Sequence, residues 1–329
     1  MSVLSEDREK IYELCKNYLS NRWTEISAND LIIKPITDGF INKLFYCSLP
    51  DNTDPDNGSV VLRFVENIGD NDPRNETHIL AISTILSQLN ISPKILGVFP
   101  NGTINEFINC RYFDGKDDLN PEAVALLAQK LAKLHSLDLP IPKTSKDMLH
   151  MFTNFFDPPL QESYLEGYVH NQIQNLQTFS TVNLIDELQW LTRTVPQVDS
   201  PVVMSHNDLN RRNILIKTDT NNNVSDVKDM YFIDFDFSGY ASRGVDLGNY
   251  FSCWAQADIV GFDSGPFPND HQMLTFIDAY ISEMSRLSGD SYAKHAINSR
   301  DSLIKECKIR FVLYLGDKPK QKDRPHDKG

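Results

Sequence analysis

No stretch of this 329-residue chain approaches 18 consecutive apolar residues, so no membrane-spanning helix is expected. The first ten residues, MSVLSEDREK, lack the apolar stretch of a secretory signal. Cysteine is scarce and scattered. Cys15, Cys47, Cys110, Cys253 and Cys307 contain no CxxC pair, which fits a reducing compartment better than a disulfide framework. These shortages together give a cytoplasmic expectation. Basic charge is also in deficit: 32 Lys and Arg stand against 45 Asp and Glu, a formal net charge of -13. That field repels nucleic acid and anionic membrane, so neither is an expected partner, while a cationic small molecule is tolerated. Two phosphate-binding fingerprints are missing as well, GxxxxGK(S/T) and GxGxxG. A nucleotide would have to be held by local donors and a divalent metal.

What is present is ordinary globular material, 40% hydrophobic and 23% charged, enough for one large domain or two lobes. Residues 6–19 have helical spacing of Ile11, Leu14, Tyr18 and Leu19. Two β-type runs, 31–36 and 44–49, flank Thr37-Asp38-Gly39. Gly39 can take backbone angles that other residues avoid, and such a turn could bring N–H groups to phosphate; it equally suits an ordinary hairpin. Residues 60–65 read as a central strand interrupted by Arg63, a charge that needs a partner if buried. A helix over 76–89 begins at Glu76. An Arg63–Glu76 pair would resemble the strand cation and helix carboxylate that hold phosphates in kinases, or be a plain surface salt bridge. Runs at 95–99 and 103–110 add two strands, with Glu106 to Asn109 as a linker whose backbone could meet an adenine ring. Residues 122–137 form a strong amphipathic helix, and His135 near its end reads as a packed or capping histidine. Helices are expected at 163–179 and 184–195. The polar end, GDKPKQKDRPHDKG, reads as disorder.

The chemistry is concentrated between Val202 and Asp236. There HNDLNRRNILI is followed by the run MYFIDFDF. Phosphoryl transfer needs a carboxylate to take the acceptor's proton, an amide and a second carboxylate for divalent metal, and a cation against phosphate. Asp208, Asn213, Asp234 and Arg63 match those needs in that order, with His206 holding the loop. A hairpin would bring Asn213 and Asp234 to one end of two adjacent strands, where hard oxygen ligands suit Mg2+. Arg211 and Arg212 could contact phosphate, but an exposed basic pair is the plainer reading. A polar turn carrying incidental Asp residues is the bland alternative.

These segments resemble the choline/ethanolamine kinase family, within the group that includes aminoglycoside kinases. SHNDLNRRNILI is similar to its catalytic-loop signature and YFIDFDFSGYASRGVDLGNYF to its second signature. DGFINKLFYCSL, VVLRF, Glu76, SPKILGVFPNGTINEFI and KLAKLHSLDLP extend the likeness over roughly residues 30–290. The resemblance implies an α+β, bilobal, protein-kinase-like fold. Residues 1–109 would be a small β-rich nucleotide lobe, 110–311 a larger, mainly helical catalytic and acceptor lobe, and 312–329 a disordered tail. It implies ATP and Mg2+ as cofactors. Gly39, Asn42, Arg63, Glu76, Glu106, Asn213 and Asp234 would face the nucleotide, with Asn213 and Asp234 on the metal. Asp208 would be the base, aided by His206, while Asp246 and Asn249 support the loop. The acceptor would be choline or ethanolamine, against Asp208, Asn210, Asp236, Phe237, Tyr250 and Trp254. A homodimer, or a heterodimer with a related kinase, is implied.

The second signature departs from the family's ID-(F/Y)-EY and DIGNHFxE. Asp236 replaces Glu, Phe237 replaces Tyr, Tyr250 replaces His and Cys253 replaces Glu. A quaternary ammonium needs ring faces and negative charge, so these positions bear on acceptor choice. Two other readings therefore stand beside the leading one: a nucleotide-binding partner of an active kinase subunit, and a kinase for another small hydroxyl compound.

Overall fold

The computed structural model describes residues 5–37, 42–50, 58–66, 75–144, 190, 193–194, 197–217, 229–254 and 267–315. Gly39, the helices expected at 163–179 and 184–195 (apart from Trp190, Arg193 and Thr194), and the polar end beyond 315 lie outside them. The chain forms two compact units, Met1–Phe113 with Arg212–Asp236, and Asp114–Arg211 with Phe237–Gly329. It therefore passes from one unit to the other at 113/114, 211/212 and 236/237. The second and third passages fall inside the two motifs, so each motif gives residues to both units.

The first unit begins with helix α1 (Ser5–Tyr18) and is built on strands β1 (Ile32–Ile36), β2 (Lys43–Ser48) and β3 (Ser59–Phe64). Helix α2 (Glu76–Gln88) follows, then β4 (Ile95–Phe99) and β5 (Gly102–Glu106). The sheet order is β1-β2-β3-β5-β4, all antiparallel, which makes β3 central. Alternation on β3 explains the burial: Val60 and Leu62 point into the core with Phe45, Ile104 and Ile11 of α1. Asn75 starts α2 as an N-cap, its side chain accepting the N–H of His78 at 3.0 Å. Gly102 is required at the β4–β5 turn, because a Cβ there would run into the Arg63 carbonyl and the Phe99 ring.

The run expected as one strand over 103–110 is two. β5 ends at Glu106 and β6 (Cys110–Tyr112) joins a second sheet with β8 (Ile214–Lys217) and β9 (Met230–Phe232), in the order β6-β8-β9. Backbone bonds from Phe113 to Ile214 (2.9 Å) and Phe232 to Ile91 (2.8 Å) tie this small sheet into the unit.

The second unit holds α3 (Pro121–His135), a strand pair β7 (Val202–Ser205) and β10 (Gly239–Ser242), and helices α4 (Gly244–Ser252), α5 (Asp270–Ser288) and α6 (Arg300–Leu315). Asn120 caps α3, with Pro121 in its first turn, and Asn269 with Gln272 forms a reciprocal capping box on α5. α5 packs on α3, and α6 on α4. Every residue of α4 is buried, the polar Asp246 and Asn249 included. Among the described residues no helix is long and apolar enough to cross a membrane.

Candidate active site

In the second unit, β7 ends at Ser205, paired with Gly239 of β10, and delivers the turn His206-Asn207-Asp208. Asp246, at the start of α4, accepts the N–H of His206 at 2.7 Å and of Asn207 at 2.8 Å. Its other contact is His135 Nε2 at 3.1 Å, and His135 Nδ1 meets the Tyr280 hydroxyl at 2.8 Å. Burial acts to raise the Asp246 carboxyl, but the hydrogen bond from His135 and the charges of His135 and His206 outweigh it and hold it below the usual carboxylate range. The turn is pinned from other sides too. The Ser238 hydroxyl donates to the His206 carbonyl at 3.0 Å, the Asn249 amide donates to the Asn207 carbonyl at 3.2 Å, and the Asn207 amide donates to the Phe237 carbonyl at 2.9 Å. Asn207 sits at φ +66°, a left-handed angle that asparagine accepts better than most residues.

This scaffold aims Asp208. Its N–H points to Nδ1 of the fully buried His206 at 3.3 Å. The Asn210 amide donates to Asp208 Oδ1 at 3.1 Å, and Leu209, fully buried, anchors the loop between them.

The expectation of an exposed Arg211 is corrected: Arg211 is buried and ion-paired with Asp118. Arg212 is half-buried. Asp118 also accepts the Tyr250 hydroxyl at 2.9 Å. Burial, then the charge and hydrogen bond of Asp118, push the Tyr250 phenol well up. The Tyr250 ring stacks on Phe276 at 4.8 Å, so both its hydroxyl and a ring face are spent on packing. Trp254 is buried and Phe237 is exposed. Burial raises the Cys253 thiol.

In the first unit, β8 and β9 pair antiparallel with Ile214 opposite Phe232, and the Ile233 N–H reaches the Asn213 carbonyl at 3.0 Å. Asn213 and Asp234 thus flank one end of this strand pair. Asp234 has φ +64°, a left-handed angle that aspartate, like asparagine, accepts better than most residues, and its side chain is 47% exposed. Arg63, on the central strand, is ion-paired with Asp236 and lies 3.8 Å from Asp234. Asn42 donates to the other Asp236 oxygen at 3.0 Å. Glu76 is not among the carboxylates on Arg63; it stands exposed in the first turn of α2. Glu106 accepts the Lys94 N–H at 2.7 Å.

The donor set at this strand end suits a small divalent ion. Asn213 offers an amide oxygen and Asp234 a carboxylate, both hard. Among the described residues no three His, Cys, Asp or Glu gather into a closed metal cage, so such an ion would depend on phosphate and water oxygens for the rest of its shell. That is the usual way Mg2+ is held beside a nucleotide.

Several supporting residues carried little sequence signal. Asp118 lies in the polar stretch DGKDD, and its partners Arg211 and Tyr250 are 93 and 132 positions away. Arg243 is fully buried. It donates to Glu306 from Nε at 3.1 Å and from Nη2 at 2.5 Å, and to Tyr292, Asn298 and the Ile297 carbonyl. Nothing in a lone SRG triplet marked it.

A family model described as "Choline/ethanolamine kinase" matches residues 33–315. The human protein "Choline/ethanolamine kinase" is 28% identical over 298 residues, covering 87% of this chain and 72% of the relative. "Probable ethanolamine kinase" of Arabidopsis thaliana is 29% identical over 279 residues, covering 83% and 68%. Among solved structures, a choline kinase from Cryptosporidium parvum superposes with TM-score 0.67 at 21% identity, over 92% of this chain and 87% of that one. An ethanolamine kinase from Plasmodium vivax gives 0.63 at 21%, over 94% and 86%. At that identity the structures establish the fold, which is the bilobal protein-kinase-like one expected, with a β-rich first lobe and a helical second. The match over most of its length settles the family: this chain belongs to the choline/ethanolamine kinases.

Proposed function

We propose that the protein transfers the γ-phosphoryl group of ATP to the hydroxyl of choline or ethanolamine. The observation that carries the reading is the double hydrogen bond from His206 and Asn207 to Asp246, which fixes the backbone on which Asp208 is presented. A catalytic carboxylate must keep its position as charge develops, and a buried anion receiving two backbone donors supplies that rigidity.

In this reading Asp208 accepts a hydrogen bond from the acceptor hydroxyl and takes its proton as the oxygen bonds to the γ-phosphorus and the bond to the β-phosphate oxygen breaks. Asn210 steadies one Asp208 oxygen. Asn213 and Asp234 would hold Mg2+ against the phosphates. The metal, when bound, draws off charge from the departing ADP. Arg63 adds a cation on the same lobe, with Asn42 beside it, and Gly39, Glu76 and Glu106 belong to the nucleotide lobe. The acceptor's ammonium group is met by the negative charge of Asp208 and by the Phe237 ring, with Trp254 a further candidate; the protein is proposed to act in the cytoplasm.

The test is ADP release coupled to an absorbance readout, run with choline, with ethanolamine and with no acceptor. Release that depends on either amino alcohol supports the proposal. Tight Mg2+–ATP binding with no acceptor-dependent release would replace it with a nucleotide-binding partner of another kinase subunit. Release only with a different hydroxyl compound would reassign the acceptor.

A further inference from the structure

Arg243 and Asp246 stand close together at the start of α4, and a longer path through other elements also joins them. Arg243 Nη1 donates to the Tyr292 hydroxyl at 2.8 Å. Tyr292 lies in the short turn Tyr292–Lys294 after α5, and its hydroxyl is hydrogen-bonded to that of Tyr280 on α5. Tyr280 meets His135 Nδ1 at 2.8 Å, and His135 Nε2 meets Asp246 Oδ2 at 3.1 Å. Arg243, Tyr280, His135 and Asp246 are buried and Tyr292 is half-buried. Every member belongs to the second unit.

Counting hydrogens gives this path a direction. A guanidinium only donates and a carboxylate only accepts. Burial raises both phenols, so Tyr292 and Tyr280 each keep one hydroxyl hydrogen. The Tyr292 oxygen accepts from a cation, which makes its own hydrogen a better donor toward Tyr280. The Tyr280 hydrogen then goes to His135 Nδ1. His135 in turn presents a hydrogen from Nε2, because a lone pair there would face a buried carboxylate. All the donors thus point one way, from the Arg243 cation to the Asp246 anion. The far end of the path is the oxygen that matters: Asp246 Oδ2, which His135 reaches, also accepts the His206 N–H at 2.7 Å.

We infer that Tyr280 is a positioning residue for the phosphoryl transfer. By donating to His135 Nδ1 it keeps the imidazole hydrogen on Nε2, and so keeps Asp246 Oδ2 seated on the turn that presents Asp208. With the hydrogen on Nδ1, a ring lone pair would face Oδ2 and push that oxygen off the His206 N–H. Tyr292 and Arg243 stand one and two steps behind Tyr280 in the same path. The inference rests on the proposed role of Asp208 and adds residues that act on it only through Asp246.

The experiment uses the full chain labelled with 15N-histidine. Two- and three-bond 1H–15N correlation spectra report which ring nitrogen carries hydrogen, and His135→Gln identifies the His135 signals. The Nε2–H tautomer is expected in the unmodified protein. Tyr280→Phe keeps the ring, which stacks on Phe276, and removes only the hydroxyl. It should move the His135 signals toward the Nδ1–H form and lower kcat about tenfold, with the acceptor KM within about twofold. Tyr292→Phe should change both readouts in the same direction and by less, and it carries the test should Tyr280→Phe fail to fold. A His135 with hydrogen on Nδ1, or on both nitrogens, in the unmodified protein would overturn the inference. So would a folded variant in which either the His135 signals or kcat stay unchanged, the outcome expected of packing alone. If the unmodified protein releases no ADP in response to either amino alcohol, the kinase reading fails and takes this inference with it; normal release with unaffected variants removes the inference alone.

Discussion

The Asp246 carboxylate receives the backbone N–H of His206 at 2.7 Å, across 40 positions of sequence and in a fully buried setting. The same carboxylate takes Asn207 N–H and meets His135, so one acid at the start of α4 sets the turn that carries Asp208. Asp246→Asn keeps the shape but replaces one acceptor oxygen by a donor facing an N–H. Turnover should fall about 10²-fold through misplacement of Asp208, with a smaller change in acceptor KM. Steady-state kinetics of the variant check this.

Asp246 also predicts a pH effect. Its folded-state value is lowered, so between its unfolded value, ~3.9, and that lower folded value the unfolded chain binds more protons than the folded one. The stability contributed by Asp246 is complete above pH ~4 and is lost as pH falls through the folded value. Thermal melts from pH 7 downward should show wild type losing its advantage over Asp246→Asn only below about pH 4.

Much of this architecture is legible in the sequence. The central strand carrying Arg63, the α3 helix and the antiparallel pairing of β8 with β9 follow from alternation and helical spacing. What the sequence concealed are partnerships between distant positions. Arg211 looked exposed because charge pairs usually are, and only the fold brings Asp118 to it. The stacking of Phe276 on Tyr250 and the hold of Asn42, 194 positions away, on Asp236 leave no local trace in the sequence either. α4 is only nine residues long and carries Gly244 and Gly248, poor helix formers, so its local preference for helix is weak.

Tyr250 gives a third prediction. Because its hydroxyl serves Asp118, Tyr250→Phe should cost stability of about 1–3 kcal/mol through a weakened buried carboxylate and leave the acceptor KM within about twofold, the change equivalent to a few tenths of a kcal/mol. Denaturant unfolding and acceptor titrations separate the two effects. A large rise in acceptor KM with unchanged stability would return Tyr250 to the acceptor site.

The Arg243–Glu306 pair is another buried charge centre. Burial opposes the Arg243 charge, but the hydrogen bond and charge of Glu306 hold it protonated. Glu306→Ala would strand that cation and should destabilise the protein by about 3–5 kcal/mol. Replacing both residues by apolar ones of similar size should cost much less, as measured by denaturant midpoints.

The thiols should react slowly in the folded protein. Burial pushes Cys110 up to about 11. The hydrogen bond with Cys15, together with burial, raises Cys47, and burial with the Glu306 charge raises Cys307. Iodoacetamide at about pH 8 should modify Cys110 roughly 10²-fold more slowly than an unperturbed thiol. Peptide mapping by mass spectrometry before and after denaturation reads this directly.

The most direct measurement follows phosphorus itself. Protein, Mg2+ and ATP are incubated with choline or ethanolamine, and 31P NMR monitors the products. A new phosphomonoester resonance growing in step with ADP, and absent with Asp208→Ala, is the predicted result. ADP accompanied only by inorganic phosphate, or a phosphomonoester formed equally well by Asp208→Ala, would contradict the account.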